Sequence, residues 1–287
     1  MSNNMDSNLS NRDYHAMSSH WSSTALKYLH QTSPLHFKAK YIDKVLEQKP
    51  ASDEMILGSL VHALVLTPDV IEKEFVFMPE CDLRTKEGKA IRDNIIGVAN
   101  GRTIVDDDIR ERANAIAESV VSNKQANQML YESEREVSYF WTCPFTGLSL
   151  RSRVDAINPM YLVELKTGRD MSPSQFQRSA YNMNYDLSAA HYMEGLRQNN
   201  SERKAMCFIT VETVAPYVVQ CYEVSPEFLS VGHAKWLDAI TKLEAGITKG
   251  HWPGFYDPEV EPFPLLTPPV WAMKNVDKPV EDVGNGI

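Results

Sequence analysis

The chain has no apolar run of membrane-spanning length. Its longest, MILGSLVHALVL at residues 55–66, falls far short of the ~20 residues a helical span requires. The start, MSNNMDSNLSNRDYH, lacks the basic region followed by an apolar one that marks a secretory leader, so a soluble, unexported chain is expected. Cysteine is sparse. Cys81, Cys143, Cys207 and Cys221 are scattered with no CxxC pair, which argues against a zinc or iron–sulfur centre and for reduced structural thiols. Basic excess is missing as well: 29 Lys and Arg face 38 Asp and Glu, a net charge of −9. Any nucleic-acid partner would therefore have to meet a local basic patch, because the overall field repels it. There is no internal repeat and no low-complexity linker in the middle of the chain, so one α/β domain is the simplest account of its 287 residues.

Residues 1–18 are rich in Asn and Ser and predict a flexible amino-terminal arm. The folded domain is expected over 19–255, and 256–287, with PGFYDPEVEPFPLLTPPV leading into it, reads as a proline-rich tail that lies extended over the surface or is disordered. Within the domain, Ser22 or Ser23 can cap a first helix and Ser33-Pro34 can start the next. SDEMILGSLVHALVLTP predicts a buried helix from a Ser52 cap to Thr67-Pro68, with apolar residues around most of the cylinder and His62 among them. A short FVFM strand, the polar segment PECDLRTKEGKAIRDN and a helix through DDDIRERANAIAESVVSN complete a mainly helical first half. The period then changes. EVSYFWTCPFTGLSLRSRVDAINPMYLVELKTG alternates as three strands joined by CPFTG and NPMY turns. Helices follow at SPSQFQRSAYNMN, with Ser172 and Gln175 spaced as a capping box, and at DLSAAHYMEGLRQ. Two more strands, KAMCFITVET and YVVQCYEV, precede a helix running from SPEF to about Lys249.

The second strand pair carries an unusual set of charges. With Pro159-Met160 as the turn, symmetric antiparallel register places Ile157 opposite Leu162 and Asp155 opposite Glu164. Directly opposed Cβ atoms are ~4.5–5.5 Å apart, so like charges there repel unless something neutralises them. Alternation puts Lys166 on the same face as Glu164, while Val163 and Leu165 point away. A solvated sheet face alternates in the same way. Two acids that can share one hard cation, with a lysine beside them, also describe a hydrolytic site: Mg²⁺ binds through one or two carboxylates and phosphate oxygens, and a lysine can position the attacking water, or take its proton if its pKa is depressed. Glu136, in EREVSYFW, is either an additional acid at such a site or an edge-strand glutamate, the latter being the ordinary reading.

VDAINPMYLVELKTG resembles the Asp, then (Asp/Glu)-x-Lys, signature of PD-(D/E)xK nucleases, with Asp155, Glu164 and Lys166 in its three positions. GSLVHALVL resembles the buried helix of the RecB- and RecE-like branch, which places His62 at the metal site, although a histidine on an apolar helix is also an ordinary core residue. LRTKEGKAIRDN resembles the basic segment of RecE-type exonucleases, with Arg84, Lys86 and Lys89 as phosphate contacts, or else a solvated helix start. YDLSAAHYMEGL is similar to the branch's Gln-x-x-x-Tyr helix. Tyr192 takes the tyrosine position and Ser188 stands where the glutamine is usual.

The resemblance spans residues 14–255 and implies a restriction-endonuclease-like α/β core, a mixed central sheet flanked by helices. It implies a RecE-type, exonuclease VIII-like enzyme that degrades linear duplex DNA from its ends, 5′ to 3′ by the family's habit. It implies Mg²⁺, with Mn²⁺ as substitute, held by Asp155, Glu164, the Leu165 carbonyl and His62. Arg153 and Arg169 join the candidate phosphate contacts. A toroidal trimer or tetramer, a single-strand annealing partner, a phage or prophage origin and a bacterial cytoplasmic setting, with no membrane, are implied in the same way. A DNA-end-binding protein on a degenerate scaffold and an endonuclease of the same chemistry are the competing expectations.

Overall fold

A β-meander carrying the acids, covered by helices on both faces, is the frame of the chain. The computed structural model describes residues 5–6, 9, 11–47, 50–82, 84–199, 204–257, 260 and 263–273. Its first elements are β1 (Met5–Asp6), α1 (Asn11–Ala16), α2 (Ser23–Gln31) and α3 (Pro34–Phe37), the last continuing as a π-helical turn over Lys38–Ile42. Then come α4 (Asp53–Leu66), α5 (Ile71–Glu74), β2 (Phe75–Phe77), α6 (Lys86–Ala99), β3 (Thr103–Val105), α7 (Asp107–Ser122) and α8 (Lys124–Leu130). The second half runs β4 (Glu134–Thr142), β5 (Ser149–Ile157), β6 (Tyr161–Gly168), α9 (Pro173–Asn182), α10 (Tyr185–Gln198), β7 (Ala205–Glu212), β8 (Val219–Glu223), α11 (Pro226–Lys249) and α12 (Val270–Met273).

The main sheet is ordered β1-β4-β5-β6-β7-β8, and β2 pairs with β3 in a separate parallel ribbon. It is mixed because β6 and β7 run parallel, joined through α9 and α10, while the remaining pairs are antiparallel. A parallel neighbour needs such a crossover, whereas the meander needs only tight turns. Asn158 makes one of them: its side-chain Oδ1 accepts from the Met160 and Tyr161 N–H groups at 2.9 and 2.8 Å. Side chains on one sheet face pack with Leu26 and Leu29 of α2, Leu187 of α10 and Trp236, Ile240 and Leu243 of α11. On the other, Val163, Leu165 and Ile209 pack with Leu57, Leu60 and Val61 of α4 and Ile116 and Val120 of α7. Both faces of the central strands are thus buried, and the mixed central sheet flanked by helices is as the sequence implied. No helix of the described residues is long and apolar enough to cross a membrane.

Two expectations change. Where a flexible arm was expected, β1 pairs with β4 through Met5↔Tyr139 and Asp6↔Ser138, and Tyr14 of α1 is buried. Its ring lies 4.6 Å from the Arg151 guanidinium and 4.4 Å from that of Arg153, so cation–π contact and apolar burial anchor a segment whose composition reads as unstructured. At α9 the capping box does not form, because the Ser172 hydroxyl donates to Asp170 Oδ1 at 2.7 Å and makes no side-chain cap bond. The start of the tail does lie exposed, with Phe263, Leu265 and Leu266 almost fully in solvent.

Candidate active site

β5 and β6 leave the Asn158 turn in the expected register, Ile157 opposite Leu162 and Ala156 opposite Val163, and there the ladder stops. The anticipated ladder pair of Asp155 with Glu164 is absent. Instead the Leu165 N–H donates to Asp155 Oδ2 at 2.7 Å, so a side-chain carboxylate supplies the acceptor at the point where the two strands fork. Glu164 is 4 % exposed. Lys166 Nζ donates to its Oε2 at 2.6 Å, and its Oε1 is buried with no hydrogen-bond partner. Helix α4 comes close to β6 because Gly58 has no side chain: a Cβ there would stand 3.1 Å from Thr167 Oγ1. The approach brings His62 Nδ1 to 3.7 Å from Asp155 Oδ2, and the ring also bonds the Leu165 main chain.

Charge in this fork is crowded. Burial, then the neighbouring Asp155, pushes the Glu164 carboxyl up to about 7, against the pull of Lys166. Asp155 is raised by burial and opposed by Lys166. For Lys166 burial acts downward, but Glu164 and Asp155 outweigh it and the net shift is upward. The lysine is therefore an ammonium that can orient and stabilise, and the depressed pKa that proton abstraction would need is not there. Burial and the Lys166 charge pull His62 down to about 4, so its approach to Asp155 is that of a neutral imidazole.

Could these residues hold a divalent cation? Among the described residues no group of three or more His, Cys, Asp and Glu side chains is arranged to hold a metal ion. The donor set still fits a hard cation: two carboxylates facing across the fork, the Leu165 main chain beside them, and a buried Glu164 oxygen that no protein donor satisfies.

A family model for a PDDEXK-like domain of unknown function, DUF3799, matches residues 22–256. The chain belongs to this PDDEXK-like family. No curated protein matches the sequence. Among solved structures, the PDDEXK-like chain is similar to a crystal structure from Eubacterium rectale, of a protein whose exonuclease designation is itself provisional. The TM-score is 0.62 at 13% identity, over 94% of this chain and 98% of that one, a likeness of fold.

The remaining sequence candidates of the PDDEXK-like chain fall in different places. Tyr192 on α10 lies in the site's surroundings, where burial and then Glu164 raise its phenol well above the usual value, and its hydroxyl accepts from Ser23 Oγ at 3.5 Å. Ser188, one turn earlier, is buried with its hydroxyl unpartnered. Arg153 is occupied internally: Nε donates to Ser138 Oγ at 2.9 Å and Nη2 to the Leu9 carbonyl at 2.7 Å. Arg169 is exposed just past the end of β6. Arg84, Lys86 and Lys89 are exposed at the start of α6, with Arg84 paired to Asp82 at 3.0 Å. Over residues 80–93, Arg84, Lys86, Lys89 and Arg92 are balanced by Glu80, Asp82, Glu87 and Asp93, so this stretch carries no net positive charge.

Three neighbours of the site have no periodic signal in the sequence. Lys27 of α2 and Lys166 stand 5.5 and 5.4 Å from the centroid of the same ring, Tyr185 of α10. Burial and Lys166 pull the Lys27 ammonium down to about 8. Glu136 is the third. The sequence favoured an edge-strand glutamate, but β4 lies between β1 and β5, and burial and then Asp155 push the Glu136 carboxyl up to about 8.

Proposed function

We propose that the chain is a divalent-metal-dependent deoxyribonuclease, an exonuclease that degrades linear duplex DNA from its ends. The observation that carries the reading is the fork itself: Asp155 anchored on the Leu165 N–H, Glu164 beside it with a buried unsatisfied oxygen, and Lys166 bonded to Glu164. The PDDEXK-like family membership and the E. rectale structure support the same reading.

Asp155, Glu164 and the Leu165 carbonyl would hold the cation, with neutral His62 against Asp155. Once bound, a divalent cation supplies Lewis-acid activation of water and neutralises charge on the scissile phosphate. The rest falls to the protein. Lys166, an ammonium, donates a hydrogen bond to the attacking water or to a non-bridging phosphate oxygen and offsets the charge that builds there. Water attacks phosphorus, the bond to one sugar oxygen breaks, and the products are a phosphomonoester and a hydroxyl. Tyr185 and Lys27 flank Lys166 and confine its position. Arg169, with Arg84, Lys86 and Lys89 farther out, is the choice for phosphate contacts; Arg153 joins them only if Leu9 leaves it.

Mg²⁺, with Mn²⁺ as substitute, a 5′-to-3′ direction, a toroidal trimer or tetramer, a single-strand annealing partner and a cytoplasmic, phage-related setting belong to the same proposal through the RecE-type resemblance. End-labelled linear duplex and closed circular duplex, each incubated with Mg²⁺ or EDTA, test it. Linear DNA is expected to be shortened with Mg²⁺ only and the circle spared. Asp155→Asn and Lys166→Ala, each checked for retained folding, should lower the rate at least about 100-fold, the scale seen when one charge-stabilising group is lost. Cleavage retained in both variants would sink the mechanism, a cut circle would indicate an endonuclease, and tight end binding with no nucleotide release would indicate a binding protein on a nuclease scaffold.

A further inference from the structure

Three acids of the site lie in one row across three strands. β4 and β5 pair Arg135 with Ala156 and Val137 with Val154, and the register position between them belongs to Glu136 and Asp155, which form no ladder pair. On the other side of β5, the same step beyond Ala156↔Val163 belongs to Asp155 and Glu164. The ladder is therefore interrupted on both sides of Asp155, at the positions of the acids.

The interruption in β4 has a conformational cause. Glu136 has φ of +51°, inside an otherwise extended strand. That is the left-handed region, unfavourable for a residue with a Cβ, and such outliers persist only where the surroundings enforce them. The ion pair that Glu136 makes is a loose one. Arg153 Nε is 4.0 Å from Glu136 Oε2, beyond hydrogen-bonding distance, and already donates to Ser138 Oγ at 2.9 Å. A second observation is independent of the backbone. In the same row the Glu164 Oε1 is buried and has no hydrogen-bond partner among the described residues, an acceptor that a cation would satisfy.

We propose that Glu136 is a third carboxylate of the divalent-cation site: the positive-φ break in β4 sets it opposite Asp155, and its side chain would turn onto the cation on binding, since among the described residues no three such side chains converge beforehand. The inference rests on the reading that Asp155 and Glu164 hold a cation. Lys166 bonds Glu164 and Arg153 stands 4.0 Å from Glu136, so with all three acids ionised the row keeps negative charge that a divalent ion would offset. The (Asp/Glu)-x-Lys pattern does not include this residue; its place opposite Asp155 comes from the β4–β5 register.

The test uses the whole chain without DNA. Mn²⁺ binding is titrated by electron paramagnetic resonance and by the rise in Tm that saturating Mn²⁺ produces, for the unaltered chain, Glu136→Gln, Glu136→Gly and Asp155→Asn. Glu136→Gln is expected to weaken Mn²⁺ binding about 10- to 100-fold, the range for losing a group that supports a metal site. Glu136→Gly, which relieves the positive φ, should raise the Tm measured in EDTA yet lose Mn²⁺ affinity to the same degree. If Asp155→Asn abolishes binding while both Glu136 variants bind as the unaltered chain does, Glu136 is no part of the site and this inference falls alone. If Asp155→Asn binds Mn²⁺ unchanged, the cation reading beneath it falls.

Discussion

At the scale of single residues, the site is a set of charges whose protonation is coupled to folding, and pH makes that visible. Glu164 and Glu136, moved from 4.5 to about 7 and about 8, hold protons in the folded metal-free chain that the unfolded chain has lost. Their stabilisation is fully present below the unfolded value and is lost as pH rises through 7 and 8. His62 and His191 act oppositely: lowered from 6.5 to about 4, they stabilise above 6.5 and lose that contribution as pH falls toward 4. The two effects oppose one another between roughly pH 4.5 and 6.5, and above 6.5 the acids act alone until Lys27 begins to contribute near 8. The Tm in EDTA is therefore expected to fall between about pH 6.5 and 8, and saturating Mg²⁺ to remove most of the fall. A Tm that is flat across this window in EDTA would mean that the acids are not buried against one another. That Glu164 and Lys166 share a face was legible from strand alternation, and Asp155 and His62 were singled out beside them through the turn register and the family resemblance. Lys27 was not, since nothing in SSTALKYL marks the lysine beside Leu26 as a neighbour of this fork.

At the scale of elements, the helices that back the fork are fixed by two buried arrangements. Trp236 Nε1 of α11 donates to His191 Nδ1 of α10 at 3.0 Å, and His191 Nε2 bonds the Arg151 carbonyl of β5 at 2.8 Å. Since Nδ1 accepts from the indole, Nε2 carries the proton, and burial keeps the ring neutral. A few residues away, α11 approaches the start of α10 so closely that a Cβ on Gly232 would stand 2.0 Å from the Asp186 carbonyl oxygen. That neighbour is backbone and cannot swing aside. Gly232→Ala should therefore displace α11 and destabilise by about 3 kcal/mol, the upper part of the usual overpacking range, read from chemical denaturation. A loss under about 0.5 kcal/mol, the scale of an ordinary surface substitution, would show that the two helices can separate freely. Whereas α6, β3 and α8 were not assigned, the order and type of the helices and strands that build the fork were readable from period and caps. The fork at Asp155 was not, because a ladder that stops is a competition between backbone and side-chain acceptors for one N–H, and alternation carries no trace of it.

At the scale of the whole molecule, a net charge of −9 would leave the proposed duplex binding to a few local contacts. With each phosphate contact contributing about 0.9 to the slope of log K against log salt, changing Arg84, Lys86 and Lys89 together to alanine should reduce that slope by about 3 if all three touch phosphate. The measurement is binding of a short duplex in Ca²⁺ at several salt concentrations; an unchanged slope removes the α6 segment from the DNA surface. Its charge balance with Glu80, Asp82, Glu87 and Asp93 makes this a real contest. What the sequence by itself determined is the set of local choices: which segments are helix or strand, which turn joins β5 to β6, and which face Glu164 and Lys166 share. Those follow from periods of 3.6 and 2 and from caps and turns, all short-range. The tertiary structure alone decided that the amino-terminal segment docks through Tyr14 on Arg151 and Arg153, that Arg153 is held by Leu9, and that Glu136 stands in line with Asp155. Each depends on contacts between residues distant in the chain, where the free energy of burial and pairing overrides local composition.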